Sequence, residues 1–309
     1  MKITVKDLSA DEAKEEADMV RFKVVALDLD GTLLGPDHEV SAKAVEYLTY
    51  IQNRGIHIVI ATGRSASCVF DTIKKLNLDQ ADFPLVCSNG ATGLKVSKCT
   101  TRQQVLFEDP VNKDLTKRTL ALAQSLGLTV QYYLQNEIHV HTATYGHRHL
   151  VRRYSQLTGT RQIEVNNPNY ESVMCQGLPL KLLVLCDEDK VDDVTLQLQH
   201  ELGQEAHVIR GTPPFFVEVL NAQVCKGHGL RRLINSTMPS ISPKQVVAFG
   251  DGDNDVEFLQ WAGHGVAMKN ARESLKQVAD EVLNWTNAED GVILKLQEME
   301  QRGQLDFTK

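Results

Sequence analysis

Asp28 and Asp30 stand two residues apart in Asp28-Leu29-Asp30-Gly31-Thr32-Leu33, directly after the apolar run Phe22-Lys23-Val24-Val25-Ala26-Leu27. That run reads as a buried strand. In open α/β sheets, chemistry gathers at the carboxyl ends of strands. Two carboxylates there are costly unless a metal or a proton balances them. One of them can attack as a nucleophile while the other moves protons. Taken alone, the residues Asp28 to Thr32 also fit an acidic turn that caps a helix.

Three further segments have the same character. Ile58-Val59-Ile60-Ala61-Thr62-Gly63-Arg64 reads as a strand ending in a hydroxyl, a glycine and a cation. A hydroxyl and a backbone N–H at a helix N-terminus point donors at an anion. Val224-Cys225-Lys226-Gly227 places a compact positive charge at the start of a helix. Val246-Val247-Ala248-Phe249-Gly250-Asp251-Gly252-Asp253-Asn254-Asp255 is another buried strand that ends in acids.

The order D-x-D-G-T, T-G-R, K-G, G-D-x-x-N-D resembles the haloacid dehalogenase-like hydrolase superfamily. It looks most like the Cof-type phosphatases, which carry a large type IIB α/β cap between the second and third motifs. The likeness runs from about residue 22 to about residue 294, and in the cap it rests on length and position only. It implies an aspartyl-phosphate chemistry with Asp28 as nucleophile. Asp30 would protonate the leaving oxygen and then deprotonate water. It implies phosphate binding by the N–H of Leu29, by Thr62 and Gly63, by Lys226 and by Asn254. It implies Mg²⁺ held by Asp28, Asp251 and the backbone carbonyl of Asp30; Mg²⁺ prefers oxygen ligands. Asp255 fits either an outer metal shell or a helix cap. Asp253 is expected to face solvent. Arg64 could touch substrate, tie the core to the cap or form a surface ion pair. Ser88-Asn89-Gly90-Ala91 resembles the family's N-G-A turn and reads as structural.

Positioning these groups requires an α/β fold. Val40 to Asn53 reads as an amphipathic helix, followed by the strand Ile56–Ala61, a helix from Ser65 to Leu76 and the strand Leu85–Cys87. This alternation implies a doubly wound, mainly parallel sheet with right-handed crossovers. After about residue 93 the pattern changes to an α+β insert. Helices are expected at Lys113–Leu126, Gly146–Leu157 and Val191–Leu202, a hairpin at Thr129–Leu134 and Glu137–His141, and a strand at Lys181–Leu185. The doubly wound rhythm is expected to return at Phe215–Leu220, with Pro213-Pro214 as a stiff return linker. The helices Gly229–Ile234 and Asp255–Ala262 and the strands Gln245–Phe249 and Gly265–Met268 complete it. The core is therefore expected at 1–92 and 211–309, with a cap at 93–210. Within the cap, Tyr132, His139, His141, Tyr145 and Arg148 are substrate candidates by position. His139 and His141 would also fit a zinc pair, for which a third ligand at suitable spacing is lacking. Phe215 and Phe216 read as core.

The 309 residues suffice for two domains. A net charge of -7 argues against nucleic acid or an anionic membrane as partner. No apolar run approaches the roughly 20 residues of a membrane span. Residues 1–20, with six acids, read as a solvated extension with a helix opening at Ser9, and lack a signal-peptide core. The six cysteines form no C-x-x-C pair and read as reduced thiols of a cytoplasmic protein, with Cys225 as an alternative oxidation sensor. Together these features predict a Mg²⁺-dependent phosphomonoesterase acting on a small metabolite, a sugar phosphate or a cofactor phosphate. Two alternatives stay open. One is a phosphotransferase or mutase of the same superfamily. The other is a binding protein with a retired site, against which the four retained charges Asp28, Asp30, Lys226 and Asp251 count. Neither the oligomeric state nor the particular metabolite can be read from these residues.

Overall fold

The structure, a computed structural model, describes residues 21–76, 83–97, 103–135 and 137–308. The expected acidic extension at 1–20 and Cys99 lie outside these residues. The chain enters the fold on strand β1 (Val24–Leu27), wholly buried, and crosses through helix α1 (Ala42–Asn53) to β2 (His57–Ala61). Helix α1 begins where the Ser41 hydroxyl accepts the N–H of Ala44 at 3.0 Å, supplying an acceptor for one of the helix's unpaired first-turn N–H groups. The helix expected at Ser65–Leu76 divides into a 3₁₀ turn, Ala66–Cys68, and α2 (Phe70–Leu76). Strand β3 (Phe83–Cys87) follows.

Strands β4 (Thr92–Val96) and β5 (Gln103–Glu108) then add to β3 in antiparallel fashion. The first sheet therefore extends beyond residue 93, where the sequence pattern suggested that the insert begins. The inserted unit holds α3 (Lys113–Ser125), β6 (Thr129–Leu134), β7 (Glu137–Val140), α4 (Tyr145–Thr158), β8 (Gln162–Glu164), α5 (Glu171–Met174), β9 (Lys181–Leu185), α6 (Val191–Leu202), β10 (Ala206–Arg210) and β11 (Phe216–Asn221). Its sheet has the order β10-β11-β9-β6-β7-β8. Here a second expectation fails. Phe216–Asn221 pairs antiparallel with β9 and β10, so it belongs to the insert rather than to the returning core. Pro213-Pro214 lies in the connection between β10 and β11, not in a return linker. By sheet membership the insert runs from about residue 110 to about residue 224.

The chain returns through α7 (Lys226–Thr237), β12 (Val246–Gly250), α8 (Val256–Trp261), β13 (His264–Ala267), α9 (Glu273–Lys276), β14 (Glu281–Val282) and α10 (Gly291–Gln301). The first sheet has the order β14-β13-β12-β1-β2-β3-β4-β5, parallel from β14 to β3. This is the doubly wound core that the alternating pattern implied. The four motifs end β12, β1 and β2 and open α7, so they meet at the carboxyl ends of adjacent central strands. No helix among the described residues is long and apolar enough to cross a membrane.

Candidate active site

Asp28 follows β1 directly, where the buried strand hands its backbone to a turn. Its N–H donates to the Phe249 carbonyl of β12, and the Leu29 carbonyl accepts the N–H groups of Thr32, Leu33 and Leu34. The turn is thereby folded back over the strand end. Gly31 is required in it. Its φ is +80°, and a Cβ there would stand 2.2 Å from Asp251 Oδ2. Thr32 Oγ1 donates to Asp251 Oδ1 at 3.2 Å, tying the first motif to the fourth.

Lys226, the first residue of α7, is 1% exposed. Its Nζ donates to Asp28 Oδ1 at 2.6 Å and to Asp255 Oδ1 at 2.7 Å. The start of α7 is pressed against the Ser88-Asn89-Gly90 turn. Gly90 has φ +102°, and a Cβ there would meet the Cys225 carbonyl at 2.1 Å. Asp255 is fully buried and takes the capping role left open above. Its Oδ2 accepts the N–H groups of Asp251 and Gly252 at 3.0 and 2.9 Å, which caps the turn, while Oδ1 faces Lys226.

The carboxylates of Asp28, Asp251 and Asp255 each offer an oxygen within 4.8 Å of the others; this is the single such grouping of potential metal ligands among the described residues. Three carboxylates share one ammonium, and the imbalance shows in their acidity. Burial pushes the Asp28 carboxyl well above its ordinary range; Lys226 draws it down, and Asp255 and Asp251 push it up again. Burial, then the charge of Asp255, pushes Asp251 up to about 7. Lys226 is raised because its two aspartates outweigh the burial that would lower it. An all-oxygen set with surplus negative charge fits a hard divalent cation.

Asp30 is placed apart from this group. Arg64 Nε donates to Asp30 Oδ2 at 2.7 Å, Arg64 Nη2 reaches Oδ1, and His38 Nδ1 lies 3.1 Å from Oδ1. Burial alone would raise its pKa, but the Arg64 hydrogen bonds and charge, with His38, hold it below its ordinary value. Arg64 therefore clamps Asp30 inside the core. Thr62 is buried at the end of β2, and its Oγ1 accepts the N–H of Arg64 at 3.2 Å. Asn254 Nδ2 donates to Asn89 Oδ1 at 2.9 Å. Asp253, expected in solvent, is half-buried and paired with Arg272 at 2.6 Å.

Three residues that sequence reasoning did not single out as functional reach this site. Lys181 and Glu218 come from the inserted sheet and Asn89 from the end of β3. Lys181 opens the apolar strand Lys-Leu-Leu-Val-Leu, and Glu218 interrupts Phe-Val-Glu-Val-Leu. A charge inside a buried strand is costly unless paired, and that signal could have found both. Among the cap candidates, Tyr132 and His139 are opposite neighbours on β6 and β7 and face away from the core. Tyr132 stacks on Tyr170 and donates to the Gly177 carbonyl. The adjacent Tyr133 faces the core instead, under Lys181 Nζ at 4.7 Å from its ring centre. His139 Nε2 sits against Glu137, and His141 Nδ1 against the Val165 carbonyl, so the two rings are not gathered about a zinc site. Tyr145 and Arg148 are exposed. Phe215 and Phe216 are buried and pack edge to face, in a hydrophobic cluster of the insert with Tyr133, Tyr154 and Leu183. The five described cysteines are free thiols. Burial raises the Cys225 thiol, against a thiolate sensor.

A doubly wound core carrying three aspartates at its strand ends and a lysine at a helix start, under an inserted α/β unit, defines a class, and most of the sequence falls within it. The sequence profile of the haloacid dehalogenase-like hydrolases matches residues 25–296, and the chain belongs to that family. It is similar to the putative phosphatase YxeH of Bacillus subtilis, at 24% identity over 90% of this chain and 98% of that one. It is 27% identical to 5-amino-6-(5-phospho-D-ribitylamino)uracil phosphatase YitU of the same organism, over 89% of this chain and 96% of that one. The structure resembles BT1666 from Bacteroides thetaiotaomicron, a phosphatase of the haloalkanoate superfamily. The TM-score is 0.73 at 27% identity, over 91% of this chain and 96% of that one. The protein is an enzyme, a phosphatase of this family.

Proposed function

We propose that the protein is a cytoplasmic, Mg²⁺-dependent phosphomonoesterase that hydrolyses a small phosphorylated metabolite, a sugar phosphate or a cofactor phosphate. The observation that carries this reading is the Asp28–Lys226 contact of 2.6 Å beside Asp251 and Asp255. A carboxylate held there is buried, aimed by a lysine and set at a strand end. Asp28 attacks phosphorus, the bond to the leaving oxygen breaks, and an aspartyl-phosphate forms. Asp30 supplies the proton to the leaving oxygen, then takes one from the water that hydrolyses the intermediate. The ionised Asp30 in the grip of Arg64 is the form that the second step needs, so protonation for the first requires Arg64 to loosen.

Asp28, Asp251 and Asp255 would hold the divalent ion, with the main-chain carbonyl of Asp30. When bound, the ion neutralises carboxylates and phosphate that would otherwise repel each other. The N–H of Leu29, the Thr62–Gly63 turn, Lys226 and Asn254 orient the phosphate and stabilise charge on its oxygens. The insert shuts out water and selects the leaving group. YitU, by its name, acts on a phosphoribityl compound, a substrate of the small hydroxylated kind proposed here.

The test is phosphate release from a panel of sugar, nucleotide and cofactor monophosphates with Mg²⁺, beside Asp28→Asn. Metal-dependent turnover that falls by at least about 10³-fold in the folded variant supports the reading. Isomerised sugar phosphate without phosphate release would replace it with a mutase.

A further inference from the structure

Lys181 and Glu218 are 1% and 7% exposed, on the face of the inserted sheet that looks toward the core. Lys181 Nζ donates to Glu218 Oε1 at 2.8 Å and, across the gap between the two sheets, to the main-chain oxygen of Gly63 at 2.9 Å. Glu218 Oε2 also crosses that gap, accepting from Asn89 Nδ2 at 2.6 Å. A carboxylate can only accept. Asn89 must therefore turn its nitrogen to Glu218 and its oxygen to the other side. That oxygen accepts from Asn254 Nδ2 at 2.9 Å, which fixes the Asn254 amide in turn and leaves its second amide hydrogen for another acceptor.

Asn89 is built for this position. Ser88 and Asn89 hold φ of +50° and +55°, in the left-handed region, and their N–H groups donate to the carbonyls of Arg64 and Thr62. Strained backbone of this kind persists where the surroundings over-determine it. The turn is thus zipped onto the phosphate-binding turn and cannot swivel independently of it.

We propose that Glu218 and Asn89 are positioning residues which, when the insert closes on the core, set the amide of Asn254 so that its free N–H meets the substrate phosphate. This rests on the phosphatase reading above. With the insert lifted, the Glu218 contact is gone, nothing dictates which end of the Asn89 amide faces Asn254, and the donor is lost. Closure and phosphate capture are thereby one event.

The test is a polarity swap. Asn89→Asp keeps the shape and tolerates the left-handed backbone, but sets a carboxylate against Glu218. Glu218→Gln removes the charge that dictates the relay. The double variant Asn89→Asp with Glu218→Gln restores a donor facing an acceptor at every step, and keeps the net charge. Turnover of p-nitrophenyl phosphate with Mg²⁺ and the affinity for orthovanadate are measured on all three, with and without Asn254→Ala. Each single change is expected to lower kcat about tenfold to a hundredfold, below the roughly 10²–10³-fold for outright loss of one such donor because Asn254 itself is kept, and to weaken vanadate in parallel. The double variant should recover most of both. On the Asn254→Ala background, neither change should cost more. A double variant no better than the singles, or single effects that persist without Asn254, overturns the relay. If Asn89→Asp does not fold, Glu218→Gln on the two backgrounds decides alone. Wild-type protein that binds vanadate in the swap pattern without turning over any phosphomonoester keeps the relay and sinks the phosphatase reading. A wild type that binds no vanadate overturns both.

Discussion

The protein contains two buried charge clusters a few residues apart, and they are built on opposite rules. At the ends of β1 and β12, three carboxylates share one lysine and are left with surplus negative charge. Under the inserted sheet, one lysine meets one glutamate, and each also bonds the core, Lys181 at the Gly63 carbonyl and Glu218 at the Asn89 amide. The first cluster is incomplete and calls for a cation. The second is complete and calls for nothing, so its use must lie in what it holds in place. Burial and ion pairing alone do not separate a ligand site from a structural one. The balance of charge does.

The comparison can be broken at several points. The largest effect is expected for Lys226→Met, which strands two buried aspartates. It should cost about 4 kcal/mol in urea unfolding, as for other broken buried pairs, together with nearly all turnover. Mg²⁺ should recover part of that loss, because it supplies the missing positive charge. In the wild type, Mg²⁺ at about 100-fold over its dissociation constant should stabilise by about 2.7 kcal/mol. Asp251→Asn should abolish that gain, read as a shift in thermal midpoint. A melting curve indifferent to Mg²⁺ would contradict an incomplete first cluster. The second cluster should behave differently. Lys181→Met alone leaves Glu218 unpaired, but Lys181→Met with Glu218→Leu should cost less than the single change. About 2 kcal/mol is expected, for the Asn89 nitrogen left without an acceptor. No paired apolar replacement of Lys226 and one aspartate should show such a recovery.

The smallest expected effect lies far from both clusters and serves as a control. Burial would raise the Glu281 pKa, but hydrogen bonds from Lys295 and His264 hold it below its ordinary value of 4.5. A carboxyl depressed on folding adds stability above its unfolded pKa, and that stability is lost as pH falls through the folded value. The difference in stability between wild type and Glu281→Gln should therefore be constant above about pH 5 and shrink below about pH 4.5. A difference that grows on acidification would reverse the sign and contradict the pairing.

Much of the core could be read from the chain. The motif residues sit where apolar β-branched runs stop, and both the strand and its end are local features. The limits of the insert were not local. Thr92–Val96 joins the first sheet and Phe216–Asn221 the second through pairing with distant strands, and an apolar run looks the same in either. Tyr132 and His139 were misplaced for another reason. Tyr132 and Tyr133 are adjacent, and with a side-chain period of two, only the register decides which one faces the core. Asp255 could be read as cap or ligand because both need an acid at a helix start; one of its oxygens caps the turn and the other accepts from Lys226.

Glu218 lies three residues before Asn221, whose side chain donates to the Pro110 carbonyl where the outgoing and returning chains cross side by side. Three strand residues reach about 10 Å, so Glu218 stands close beside that crossing. A swing of about 20° about that crossing would carry its carboxylate roughly 3 Å, enough to part it from Asn89. If the insert closes about that crossing, the contact gauges the angle of the insert and not the width of the gap at its rim. A leaving group bulky enough to prop the lid open by that angle would be refused even where it touches no side chain that rejects it.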